Sequence, residues 1–147
     1  MGERPDVTRP HADFYQFLGE AGIRSLVDKH YEMLRTSEIK HLFAKNDEEF
    51  AQQKQNSADF MVQICGGPDY FNRRRGQPKM VARHASSKIT SEGRIIWLTC
   101  YQQLLSELEN VPEHAVQSFW DYINVFSAWM VNTADEKPSF HSMLFKK

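Results

Sequence analysis

The chain has 147 residues, the size of one ordinary domain. It is 41% hydrophobic and 25% charged, the profile of a globular protein with a core and not of a disordered or fibrous one. Eighteen basic and nineteen acidic side chains leave a formal net charge of -1, which argues against a protein devoted to nucleic-acid backbone or to an anionic membrane surface.

Residues 1–10, with Pro5 and Pro10 and no apolar period, read as a loose leader without the apolar stretch of a signal peptide. A short helix is predicted from His11 to Gly19, with Phe14, Phe17 and Leu18 on one face. After Gly22, a stronger helical pattern places Ile23, Leu26, Val27, His30, Tyr31 and Leu34 together. Thr36-Ser37 interrupts it, and Ile39 to Phe43 reads as one more turn of helix. Asn46 caps the next helix, whose first turn is acidic and carries Glu49 three residues on. That helix runs through Phe50, Gln53, Ser57, Phe60, Met61 and Ile64 and stops at Gly66-Gly67-Pro68. Pro68 to Gly76 is polar and arginine-rich and is expected to be loop. Pro78 then opens a short helix carrying Met80, Val81 and His84. Thr90 or Ser91 caps a helix holding Ile95, Ile96, Trp97, Cys100, Leu104 and Leu108. Asn110-Val111-Pro112 breaks the chain before a last long helix with Val116, Phe119, Trp120, Ile123, Phe126, Ser127 and Met130. Residues 135–147 form a tail. No strand alternation and no internal repeat occurs, so the expectation is one all-α domain over 1–147. No apolar run reaches the roughly 18 residues of a membrane span. A cytoplasmic protein is expected.

Taken singly, the chemistry-bearing residues are weak signals. His11, His30, His41, His84, His114 and His141 include no pair at the i, i+4 spacing of a zinc helix. Gly-x-Ser-x-Gly and Cys-x-x-Cys are absent, and Gly66-Gly67-Pro68 lacks the Lys-Ser/Thr of a phosphate loop. Cys65 and Cys100 are too few for a disulfide framework and are expected to be free thiols. Arg73-Arg74-Arg75 is short enough to be an ordinary solvated run. Trp97, in Ile-Ile-Trp-Leu, and Tyr31 would each ordinarily be core.

Their order is more specific. Gly66-Gly67-Pro68, Tyr70-Phe71, Arg75-Gly76-Gln77-Pro78-Lys79-Met80 and Arg83-His84 are followed thirteen residues later by Trp97. This series resembles the truncated haemoglobins, the small two-over-two helical globins, and in particular their group II. Upstream, Tyr31 falls at the family's B-helix tyrosine and Phe43 at its aromatic wedge before the E helix. The resemblance runs from about Phe14 to Met130 and implies a globin-like, two-over-two helical sandwich around one haem b. It implies that His84 is the protein ligand of the iron, a role suited to neutral imidazole. Arg83 matches the family's arginine and is placed to pair with a propionate, with Arg75 and Lys79 alongside as cofactor contacts. Tyr31 and Trp97 match the distal hydrogen-bond donors, and Gln53 and Ser57 fall one turn apart over the same face. Phe43, Phe60, Met61 and Met80 would be apolar walls.

The chain departs from the pattern at Cys65, where the family has tryptophan, at Gln77 in place of histidine, and at Ser86-Ser87 in place of Pro-Phe. Gln53 and Ser57 make the distal helix more polar than is common in the group. The implied function is reversible binding of oxygen, nitric oxide or carbon monoxide, with nitric oxide dioxygenase or peroxidase chemistry and a reductase partner as further implications. The rival from another class is a haem-free all-α interaction module using Arg73-Arg74-Arg75 and the aromatic tail.

Overall fold

The computed structural model describes residues 7–134; the first six residues of the leader and the tail from residue 135 lie outside them. Six α-helices and one 3-10 turn follow in order: α1 (Ala12–Arg35), the turn Lys40–Leu42, α2 (Asp47–Ile64), α3 (Tyr70–Arg75), α4 (Met80–Arg83), α5 (Ser91–Ser106) and α6 (Glu113–Met130). There is no strand among the described residues. Helix α1 packs on α2 and α5 on α6, and the two pairs meet where α1 lies against α5 and α6. This is the expected two-over-two sandwich. Its centre is apolar, with Phe14, Ile23, Val27, Val62, Tyr101, Phe119 and Ile123 at 0–1% exposure. Burying each such large side chain contributes about 1.5–3 kcal/mol. Phe14 and Phe119 stack at 4.5 Å between ring centroids, pinning the start of α1 to α6.

The break near the start of α1 falls at Gly19, whose φ of 74° lies in the region that only glycine enters freely. Gly22 has another task, because a Cβ there would meet Leu18 Cγ at 2.7 Å. Asn46 caps α2 by accepting from the Glu49 N–H at 3.1 Å, and Thr90 caps α5 by accepting from the Gly93 N–H at 3.0 Å. At the far end of α2, the Gly66 N–H donates to Gln63 O and the Gly67 N–H to Val62 O, a Schellman closure with Gly66 at φ 106°.

Two local expectations change. The polar stretch after Pro68 contains α3, because tertiary contacts supply what its sequence lacks. Phe71 is buried, Asn72 is bonded to Gln63 through both its N–H and its side chain, and Arg74 reaches the buried Asp59 carboxylate at 2.8 Å. Pro78 does not open its helix but stands two residues before the first helical position. Lys79 is the N-cap of α4, in left-handed backbone at φ 42°, and His84 follows the helix as its C-cap.

Candidate functional site

A cavity of about 350 Å³ opens between the end of α1, the Lys40–Leu42 turn, α2, α4, α5 and α6. That size is within the roughly 300–1,000 Å³ of small-molecule and cofactor sites. Tyr31, Phe43, Gln53, Ser57, Phe60, Met61, Arg75, Met80, Arg83, His84 and Trp97 all line it. Residues spread over 67 positions of sequence are thereby brought together, as the resemblance requires. Lys79 is not among the lining residues; it caps α4 and its side chain is exposed.

His84 is held from three directions. Its Nδ1 lies 2.7 Å from Met80 O, so this nitrogen carries the proton and donates to the carbonyl. Nε2 is then the nitrogen with a free lone pair. Its own carbonyl accepts from Asn132 Nδ2 at 3.1 Å, and the same amide donates to Ser87 O at 2.8 Å while Asn132 Oδ1 accepts from the Ile89 N–H. Asn132 follows α6 directly, so one side chain staples the segment after His84 to the end of that helix. The Arg83 guanidinium donates to Pro78 O at 2.6 Å, Arg75 O at 2.7 Å and Gln77 O at 3.0 Å. It clamps the loop that leads into α4 while still bordering the cavity.

The polar groups on α1, α2 and α5 are also oriented. The Tyr31 ring sits edge-on to Phe43 at 5.3 Å. Burial pushes its phenol up, and the Ser57 hydroxyl pulls the other way. Gln53 Oε1 accepts from the Ala44 N–H at 3.0 Å, which assigns the amide orientation and leaves Nε2 as its donor. The Trp97 carbonyl accepts from the His30 ring at 3.0 Å, and His30 stacks on Tyr101 at 3.5 Å. His30 is fully buried, and desolvation lowers its pKa to about 3, so it is neutral and donates through Nε2. It is a core histidine behind the cavity. Phe60, Phe71 and Phe126 form an aromatic wall, with Phe60 5.7 Å from Phe71 and 5.5 Å from Phe126.

Sequence reasoning missed Arg94. It lines the cavity one turn before Trp97, donating from Nε to Ser127 Oγ at 2.9 Å and from a terminal nitrogen to Asn124 O at 2.8 Å. The i, i+3 spacing from Trp97 is the local signal that would have found it. Asn56, Ile39, Leu42 and Met130 also line it, without a motif of their own. Arg75, Arg83 and Arg94 all border the cavity, and no carboxylate does among the described residues. A mostly apolar slot, three arginines and one imidazole with a free Nε2 fit a flat iron porphyrin with two carboxylate arms. The neighbouring arginines pair with carboxylates, Arg73 with Asp69 at 2.6 Å and Arg74 with Asp59.

Comparison with known proteins bears on the family and the fold. The pattern of the bacterial-like globin family matches residues 13–132. A group 2 truncated haemoglobin of Lotus japonicus is 35% identical over 72 residues, which cover 49% of this chain and 42% of that protein. The two-on-two haemoglobin-3 of Arabidopsis thaliana is 29% identical over 72 residues, 40% of its length, so the match spans less than half of each plant relative. Among solved structures, phosphate-bound Hell's gate globin IV is 39% identical with a TM-score of 0.84, covering 91% of this chain and 83% of that one. The group II truncated haemoglobin of Bacillus anthracis is 25% identical with a TM-score of 0.77, covering 88% of this chain and 98% of that one.

Proposed function

The chain belongs to the bacterial-like globin family, and on that basis we propose that it carries haem b on His84 and reversibly binds oxygen, nitric oxide or carbon monoxide. Membership implies a haem cofactor and the binding of diatomic gases. The assignment to these residues rests above all on one observation: His84 Nδ1 is committed to Met80 O, so Nε2 is left to a metal inside a cavity that no carboxylate of the described residues borders. When bound, the haem would supply an iron able to take up the gas.

The chain's own residues do the rest. The Met80 carbonyl fixes the tautomer of His84 and raises its basicity as a ligand. Arg75, Arg83 and Arg94 offer cationic donors for the propionates, Arg83 with whatever donors its loop clamp leaves. Phe60, Met61, Phe71 and Phe126 line the cavity and would exclude water from a bound haem. Tyr31 O–H and Trp97 Nε1–H are the first-ranked donors to the bound gas, Gln53 Nε2 the next and Ser57 the last. Each hydrogen bond to a charge-bearing acceptor contributes about 1.5–3 kcal/mol. Two of them slow release by on the order of a hundredfold or more. A protein that lets oxygen go so slowly suits chemistry on the ligand, of nitric oxide dioxygenase or peroxidase type with a reductase, better than transport. Among the described residues no helix is long and apolar enough to cross a membrane. A cytoplasmic setting belongs to the same proposal, and the free thiols of Cys65 and Cys100 accord with a reducing compartment.

His84→Gly tests the assignment. The purified variant should lose the haem Soret band or retain a labile haem, and added imidazole should restore ligation. Unchanged haem content and an unchanged ferrous spectrum in the variant would remove His84 as the ligand. His30→Gln and His41→Gln should keep the haem.

A further inference from the structure

A set of metal-ligating side chains meets outside the cavity lining, where the chain enters α1 and α6. His11 is the N-cap of α1, Asp13 lies in its first turn, and His114 lies in the first turn of α6. One ligand atom from each falls within 4.8 Å of the others. His114 Nε2 is 2.7 Å and His11 Nδ1 is 3.6 Å from the same oxygen, Asp13 Oδ2. Metal bonds of about 2.0–2.2 Å put neighbouring ligand atoms roughly 3.0–3.4 Å apart in octahedral or tetrahedral geometry. The two separations from Asp13 bracket that spacing, and the two histidine nitrogens, within 4.8 Å of each other, would close in by side-chain rotation around an ion.

The framework under the three residues is rigid. The His11 N–H donates to Ser118 Oγ at 2.8 Å, and that hydroxyl donates to Ala115 O at 2.7 Å, tying the entry of α1 to the first turns of α6. The stacked Phe14 and Phe119 rings, both fully buried, lock the same two helices one layer below. The imidazoles meet edge to face at 4.8 Å. The side chains of His11 and His114 are 53% and 56% exposed and that of Asp13 is 30% exposed, so an ion has access and water can complete its coordination.

We propose that His11, Asp13 and His114 form a binding site for a divalent transition-metal ion of the zinc class. Two imidazole nitrogens and one carboxylate oxygen select such ions over magnesium or calcium, which prefer an all-oxygen shell. Binding replaces the hydrogen bond between His114 Nε2 and Asp13 Oδ2. It also redirects the His11 Nδ1 lone pair, which accepts from the Asp13 N–H at 3.1 Å, from the helix cap to the metal. The ion then cross-links the start of α1 to the start of α6, two points about a hundred residues apart in sequence, and stabilises the folded chain by linkage. None of the three residues borders the cavity, so this site stands or falls independently of the haem reading.

The test uses the full chain as purified, cleared of loose divalent ions with a chelator, and titrates it calorimetrically with Zn2+ and with Mg2+. One Zn2+ per chain should bind with Kd on the order of 10 μM, and Mg2+ should not bind at about 1 mM. His114→Gln and His11→Asn (which keeps a capping oxygen) should each weaken zinc binding by about tenfold or more, and together abolish it. His41→Gln should leave it unchanged, as should the Soret region of the spectrum. In the native protein, one equivalent of Zn2+ should shift the imidazole NMR signals of His11 and His114 and not those of His41, a readout that needs no variant. Full zinc affinity in the double variant, no zinc uptake at about 1 mM, or zinc shifts confined to other histidines would each overturn the proposal.

Discussion

Single side chains set the polarity of the cavity, and their hydrogen bonds decide which atom each one presents. Gln53 spends its oxygen on Ala44, and His84 spends Nδ1 on Met80, so each has one nitrogen left for the cavity. The Trp97 indole is a donor only, and the Tyr31 hydroxyl is a donor or an acceptor. A diatomic ligand carrying partial negative charge would be an acceptor, so under the proposed function the two donors would act on it without competing. Tyr31→Phe and Trp97→Phe should each speed oxygen release by about tenfold to a hundredfold. Stopped-flow measurement should find the double variant faster than either single one. No change in either single variant would mean that these groups do not act on the bound gas.

At the scale of elements, the short α4 depends on its surroundings. Four residues make a single turn, far below the length at which an isolated helix holds in water. Arg83 holds the preceding loop through three carbonyls and Asn132 holds the following segment through two, so the turn is suspended between clamps. Arg83→Ala should loosen this suspension with the helical content intact, and haem transfer to an acceptor apoglobin should become several-fold faster. The end of α2 depends on close packing instead. A Cβ on Gly67 would meet Val62 Cγ1 at 2.6 Å and Tyr15 Cε1 at 2.8 Å. Gly67→Ala should therefore cost about 1–3 kcal/mol, read as a lower midpoint in urea. A midpoint equal to that of the native chain would show that Tyr15 moves aside freely.

Across the whole molecule, one buried titratable ring links stability to pH. His30 has no exposed surface, and burial lowers its pKa from 6.5 to about 3. The unfolded chain therefore takes up a proton there, as pH falls through the mid-range, before the folded chain does. The stabilisation is complete above about pH 6.5 and is lost progressively down to about pH 3. The slope from this one group is roughly 1.4 kcal/mol per pH unit. Denaturation measured across that range should show the decline, and His30→Gln, which keeps a donor for the Trp97 carbonyl, should flatten it. An identical pH profile in the variant would assign acid sensitivity to other groups.

The elements that amphipathic spacing and caps specify locally were legible from the chain alone. The long helices, the Asn46 and Thr90 caps, the glycine stop after α2 and the break before α6 all follow from residues within a few positions of one another. The ordered series from Gly66 to Trp97 likewise carried the family, because its glycines, prolines and histidine occupy positions with narrow geometric demands. Contacts between distant segments decided the rest. Helix α3 exists because Asp59 and Gln63 hold a stretch whose own composition reads as loop. Arg94 and Asn132 enter the site, and Lys79 stays out of its lining, through the way α4, α5 and the end of α6 come together. The pairing of His11 and Asp13 with His114 spans 101 residues and has no local pattern at all. Spacing along a helix reports which face a side chain shares with its neighbours, but only the packing of one helix on another determines what that face meets.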